Sequence, residues 1–85
     1  MSRIIIDVRE PQEYKMGHVK GAINIPPSEL IAGSEKLKNI SRESELILYC
    51  RTGNRSGISM NLLQNMGYAN VINGVNIDLV ESNYL

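Results

Sequence analysis

One cysteine is present in the chain, Cys50, and it lies in the stretch YCRTGNRSG at residues 49–57. Arg51, Thr52, Gly53, Asn54 and Arg55 follow it directly, and Ser56 and Gly57 close the segment. A lone thiol cannot form an internal disulfide, and no second cysteine stands near it to build a metal site, so none is expected. Cys50 is therefore either a small buried hydrophobe ending a core strand, as many lone cysteines are, or a reactive group. Its neighbours favour reactivity. A glycine-containing loop that runs into a helix turns backbone N–H groups inward, and the helix N-terminus adds its positive dipole end. A thiolate is an anion, so this environment lowers the thiol pKa and raises the nucleophilic fraction at neutral pH. Gly53 permits a tight curl of the backbone, and the two arginines keep their charge at any working pH. The expected arrangement is an activated sulfur nucleophile facing an anionic substrate.

Three chemistries suit such a loop: hydrolysis of a phosphate ester, reduction of arsenate, and transfer of a sulfane sulfur. Four residues separate Cys50 from Arg55. Cysteine phosphatases carry one more, which would put their arginine at the position of Ser56. The tighter cradle favours a single sulfur atom over a tetrahedral phosphate. An alkoxide leaving group would also need a general acid, and Asp7 is the one candidate expected nearby.

The elements that must position these residues can be read from the apolar pattern. Residues 3–8, RIIIDV, and 45–49, ELILY, are continuous and β-branched or aliphatic rather than alternating, as expected of strands buried on both faces. Residues 22–25 predict a second short strand, and Val71-Ile72 a fourth. Pro11 opens a short helix through Met16 that Gly17 ends. Ser28 is the expected N-cap of a helix carrying Leu30 and Ile31, interrupted by Gly33, with residues up to Ile40 ambiguous. Residues 56–66 predict an amphipathic helix with Ile58, Leu62, Leu63 and Met66 near one face and Gly67 as its cap. Residues 77–80 predict a last partial turn. Strands alternating with helices imply an α/β fold with a mostly parallel sheet of about four strands flanked by helices. Functional groups in such a sheet gather at the carboxyl ends of the strands. Asp7 and Arg9 should then share a rim with Cys50.

At 85 residues the chain suits one domain, residues 1–85, with one modest core. Nine Lys and Arg balance nine Asp and Glu, which gives no reason to expect nucleic acid or an anionic membrane as a partner. No apolar run approaches a membrane span, and Met1-Ser2-Arg3 leads straight into Ile4, leaving no room for a secretory leader. The expected compartment is the cytoplasm, or the periplasm if a leader has been removed, and the expected state is a monomer.

Beyond the loop, two further segments carry a resemblance. The segment IDVREPQEYKMGHVKGAINIP, residues 6–26, the loop CRTGNRSG, and LLQNMGYANVIN, residues 62–73, together resemble the rhodanese-like single-domain sulfurtransferases, in the same order along the chain. The resemblance implies a twisted parallel sheet flanked by helices, and a Cys50 persulfide formed from a donor such as thiosulfate and discharged to a thiophilic acceptor such as cyanide. It implies no metal and no organic cofactor. It assigns the backbone from Arg51 through Thr52, Gly53 and Asn54 to Arg55 to cradling the persulfide. The Arg51 side chain would draw in the thiosulfate dianion, Arg55 would brace the loop, and Asp7 and Arg9 would form a supporting ion pair. The family places a further strand and helix ahead of the Asp-Val-Arg element, and a Gly-Gly pair and a tryptophan after the last strand. Here the sequence starts almost at that element, resembling shortened members, and Asn73-Gly74-Val75 replaces the glycine pair. A sulfur carrier or docking module loaded by a partner protein is the alternative within the family, and a cysteine phosphatase or arsenate reductase the alternative outside it.

Other residues read as structural. His18, in a Gly-His-Val turn, is expected to be structural. Tyr14 and Tyr68 are expected at the edge of the core with their hydroxyls on water or backbone, Met60 and Met66 as packing, and Lys36 and Lys38 as a solvated face.

Overall fold

The computed structural model describes residues 3–85. Four strands, β1 (Arg3–Asp7), β2 (Ile23–Asn24), β3 (Glu45–Tyr49) and β4 (Val71–Val75), form one sheet in the order β2-β1-β3-β4, and every pairing is parallel. Four helices connect and follow them: α1 (Pro11–Lys15), α2 (Pro27–Ala32), α3 (Asn54–Asn65) and α4 (Ile77–Tyr84), with a single 3-10 turn at Glu35–Leu37.

Side chains alternate across a strand, and both faces of this sheet are covered. Leu46, Leu48 and Cys50 face one layer with Ile6, Val8, Leu30 and Leu63, under α2 and α3. Ile47 and Tyr49 face the other with Ile5, Val19 and Val80, under α1 and α4. Burial on both sides is why residues 45–49 are apolar without alternation. It also puts Cys50, one residue past the end of β3, in phase with the layer beneath α3.

Several elements differ from the sequence expectation. The cap of α2 is Pro26 rather than Ser28, since Pro27 already fits a first helical turn, and Gly33 ends the helix in the left-handed region at φ 89°. Helix α3 begins at Asn54, and its buried face is Ser56, Ser59 and Leu63. Of the expected apolar face, Leu63 is fully buried and Leu62 packs against the core, while Ile58 is 58% exposed and Met66 37%. Two serines on the buried side let the helix axis sit close to β3 and β4, leaving no room for bulkier groups there. Strand β4 extends to Val75 through a bulge: Leu48 pairs with Asn73 and Tyr49 with Val75, so Gly74 is the extra residue. A Cβ on Gly74 would lie 2.6 Å from Val80 Cγ2 and 3.0 Å from the Leu48 carbonyl oxygen. Val75 has φ 76°, the left-handed region that a β-branched residue rarely occupies. Helix α4 runs to Tyr84 and buries Val80 completely.

Candidate active site

The carboxyl end of β3, the loop after it and the first turn of α3 build the site around one sulfur atom. Cys50 is 2% exposed, and its own N–H donates to the Val75 carbonyl at 3.0 Å, which fixes the loop to the end of β4. The backbone then curls back at Gly53, φ 96°, and the Gly53 N–H donates to Sγ at 3.0 Å. Space as well as torsion requires glycine there, because a Cβ would meet Val75 Cγ1 at 3.3 Å. The Ser56 hydroxyl stands 3.5 Å from the sulfur on its other side. Burial pushes the Cys50 thiol up, and the Ser56 hydroxyl together with the backbone N–H groups of Ser56, Gly53 and Thr52 outweighs it, bringing the pKa down to about 7. That shift favours the nucleophilic thiolate near neutral pH.

The two arginines are placed differently. Arg51 is exposed and makes no ion pair among the described residues. It lines a cavity of about 240 Å³ with Arg9, Glu13 and Met16. The Arg55 guanidinium turns to α1 and grips Glu13 with both arms, Nη1 to Oε1 at 2.6 Å and Nη2 to Oε2 at 3.1 Å. That contact holds the Glu13 carboxyl down at about 2. Thr52 and Asn54 are exposed, and the Thr52 N–H helps to lower the Cys50 pKa. Larger depressions of about 270 and 400 Å³ lie by the C-terminal end of α3, lined in part by Gly33 and Met66, at the opposite end of that helix from the sulfur.

Asp7 and Arg9 share the rim with Cys50 but not its face of the sheet. Asp7 is fully buried and accepts from Arg9 Nε at 3.0 Å, Arg9 Nη2 at 2.7 Å, the Arg9 N–H at 2.9 Å and the Tyr49 hydroxyl at 2.8 Å. Arg9 Nη2 also donates to the Gly17 carbonyl at 2.7 Å, and Asn24 Nδ2 donates to the carbonyls of Asp7 and Arg9. The network ties α1, β1, β2 and β3 together. It leaves the Asp7 carboxylate no open position for proton delivery.

The remaining expectations are settled by single contacts. His18 stacks on Tyr14, ring centroids 3.7 Å apart, with Nδ1 2.8 Å from the Tyr14 carbonyl. The Tyr14 hydroxyl donates to the Ala22 carbonyl, and Tyr68 reaches toward that of Ile40. Met60 packs against the core. Lys36 is not simply solvated: Nζ donates to the Asn24 carbonyl at 2.5 Å. Sequence reasoning passed over three residues that shape the site: Glu13, Ser56 and Asn73. Ser56 had a legible signal, a hydroxyl in the first turn after the loop. Asn73 had none, because its contact with Ser56 spans 17 positions.

Among the described residues no group of three His, Cys, Asp or Glu could hold a metal ion, and no helix is long and apolar enough to cross a membrane. Comparison with known proteins agrees with this geometry. The family model described as a rhodanese-like domain matches residues 1–74. The thiosulfate sulfurtransferase PspE of Escherichia coli (strain K12) is 42% identical over 71 residues, covering 80% of this chain and 64% of that one. YrkF of Bacillus subtilis (strain 168), provisionally named a sulfur carrier protein, is 31% identical over 71 residues, covering 84% of this chain and 37% of that one. The chain thus spans less than two thirds of the length of these curated relatives. Among solved structures, one described as a rhodanese with anions from E. coli superposes with a TM-score of 0.80 at 33% identity, covering 91% of this chain and 89% of the other.

Proposed function

This chain belongs to the rhodanese-like domain family, and from that premise we propose that it is a thiosulfate sulfurtransferase working through a persulfide on Cys50. The Cys50 thiolate attacks the outer sulfur of thiosulfate, the thiosulfate S–S bond breaks, and sulfite leaves with the electron pair. Cyanide or another thiophilic acceptor then attacks the outer persulfide sulfur, the new S–S bond breaks, and Cys50 returns to thiolate as thiocyanate departs. Arg51 at the mouth is the side chain for attracting the dianion, while the N–H groups of Thr52, Gly53 and Ser56 hold the sulfur. Arg55 braces the loop through Glu13, and Asp7 with Arg9 braces the rim. Every group in this scheme comes from one chain, so a monomer suffices.

The observation that carries this reading is the recessed Cys50 sulfur, receiving the Gly53 N–H at 3.0 Å in a loop one residue shorter than a phosphate cradle. The full engagement of Asp7 supports it, because ester hydrolysis would need a free acid to protonate the leaving alkoxide. Intact-mass measurement after incubation with thiosulfate is the test. A gain of one sulfur atom is expected, reversed by cyanide and missing in Cys50→Ser; no gain would overturn the reading. The similarity to a protein named as a sulfur carrier supports a second reading, in which a partner loads Cys50. Loading by a cysteine desulfurase but not by thiosulfate would select it.

A further inference from the structure

Asn73 touches the cysteine loop at three points, and its hydrogen bonds fix where one proton lies. Its Oδ1 accepts the Val75 N–H at 3.0 Å, and its Nδ2 donates to the Gly53 carbonyl at 3.1 Å. A backbone N–H cannot bond to an amide NH₂, nor a carbonyl to an amide oxygen, so the two ends of the Asn73 side chain cannot be exchanged. The amide lies against both loop glycines: a Cβ on Gly53 or Gly57 would come within 3.7 or 3.6 Å of Nδ2. Ser56 Oγ stands 2.6 Å from Oδ1. Oδ1 only accepts, so the single Ser56 hydroxyl proton points at Asn73. The side of Ser56 Oγ that faces Cys50 Sγ at 3.5 Å is then a lone pair.

That arrangement suits a thiol and opposes a thiolate. A neutral Cys50 donates its S–H to Ser56. An ionised Cys50 meets a lone pair until the Ser56 hydroxyl turns its proton from Asn73 to the sulfur. We propose that Asn73 is a positioning residue that competes with Cys50 for the Ser56 proton, holding it while the sulfur is neutral and yielding it when the sulfur becomes charged. The turn leaves no group orphaned, since Oδ1 keeps the Val75 N–H. Resting on the persulfide reading, the same turn serves the discharge step. When cyanide removes the outer sulfur, the electron pair of the broken S–S bond settles on Sγ, and the Ser56 proton swings toward the charge as it develops. A donor recruited only as charge appears stabilises the transition state more than the resting persulfide.

The competition predicts a sign that a merely bracing role reverses. Removing the competing acceptor in Asn73→Ala frees the hydroxyl for the thiolate, so Cys50 becomes more acidic. If Asn73 only braced Gly53, its loss would loosen the N–H groups on the sulfur and make Cys50 less acidic. The measurement is the pH profile of alkylation by iodoacetamide, which needs no sulfur transfer and so stays informative even if thiosulfate loading fails. The charged and titratable groups around the loop are Arg51 and Arg55, Glu10 and Glu13 at α1, Asp7 and Arg9 at the end of β1, and Tyr49 on β3; β4 brings none. All are common to wild type, Asn73→Ala, Ser56→Ala and the double variant, so their titration cancels in the cycle. Below the thiol pKa the alkylation rate of Asn73→Ala should rise about fivefold, the worth of the neutral Ser56–Asn73 bond that ionisation of Cys50 breaks in wild type. In the Ser56→Ala background the same substitution should change nothing. A fall in rate, no change, or an equal change in both backgrounds would overturn the proposal. Should Asn73→Ala not fold, infrared spectroscopy of the folded protein keeps the test. The S–H stretch of the single thiol should lie at the lowered frequency of a donor and rise in Ser56→Ala, whereas a free-thiol frequency in wild type would overturn the proposal.

Discussion

Arg51 and Arg55 flank one curl of backbone, yet their guanidinium groups have different tasks. Arg55 is spent on Glu13, while Arg51 stands at the cavity mouth with no ion partner among the described residues. Arg51→Ala should therefore raise the KM for thiosulfate about tenfold, the worth of one charge-assisted contact, with the melting temperature unchanged. An unchanged KM would mean that backbone N–H groups alone bind the anion. The curl of backbone around the sulfur was largely legible in the sequence, since a thiol followed three residues later by glycine predicts N–H groups turned toward it. What could not be read was the division of labour. It depends on Glu13 and Asn73, each distant along the chain, and side-chain partners at such separations leave no local pattern.

At the scale of elements, β1 and β3 were legible because burial on both faces makes a strand continuously apolar. The apolar stripe of α3 was legible only in part, since Leu63 and Leu62 reach the core while Ile58 and Met66 turn outward. Ser56 and Ser59 complete the contact surface of that helix beside Leu63, and small polar residues carry no hydrophobic signal. Strand β4 was read short because Asn73 and Gly74 interrupt its apolar run, although the strand continues through a bulge at Gly74. That bulge gives a paired prediction. Gly74→Ala would press a methyl group on Val80, Ile47 and the Leu48 carbonyl, and the backbone oxygen cannot move without breaking the sheet. A loss of about 2–3 kcal/mol is expected, or a fall in melting temperature of about 10–20 °C for a domain of this size. Val75→Gly next to it should behave in the contrary way. Relief of left-handed strain, about 1–3 kcal/mol, offsets the entropic penalty of glycine, about 0.5–1 kcal/mol, so the melting temperature should hold or rise. A large fall in Val75→Gly would show that its packing on Gly53 outweighs the strain.

Across the whole molecule, the Arg55–Glu13 pair joins the connection after β1 to the helix after β3, closing one end of the sheet over the site. Its contribution depends on pH with a definite sign. The folded Glu13 carboxyl lies at about 2 against an ordinary 4.5, so the pair stabilises the fold above about pH 4.5 and loses that effect as pH falls toward 2. The pair is partly solvated, with side-chain exposures of 35% and 26%, which limits the effect to about 1 kcal/mol. Thermal melts from pH 6 to pH 2 should show a steeper decline for wild type than for Glu13→Gln, and parallel declines would remove the pair from the stability balance. The global architecture, by contrast, was plain from the alternation of strand and helix patterns. Parallel pairing follows from that alternation, and with it the gathering of functional residues at one rim.

The depth of Cys50 in its loop has a further consequence, for the company the sulfur can keep. An acidic thiol on an open surface is an easy target for disulfide exchange, which needs a second sulfur in line with the first and its bulky substituents close by. A cysteine that is only 2% exposed hinders that approach for a glutathione-sized disulfide or the thiol of a second copy. Small, slender anions still fit. In the proposed persulfide the reactive end would stand about 2 Å farther out, toward the mouth. On the proposed persulfide reading, the empty protein would thereby be shielded from oxidative cross-linking, and the loaded one would present its cargo to an acceptor without exposing the atom that holds it.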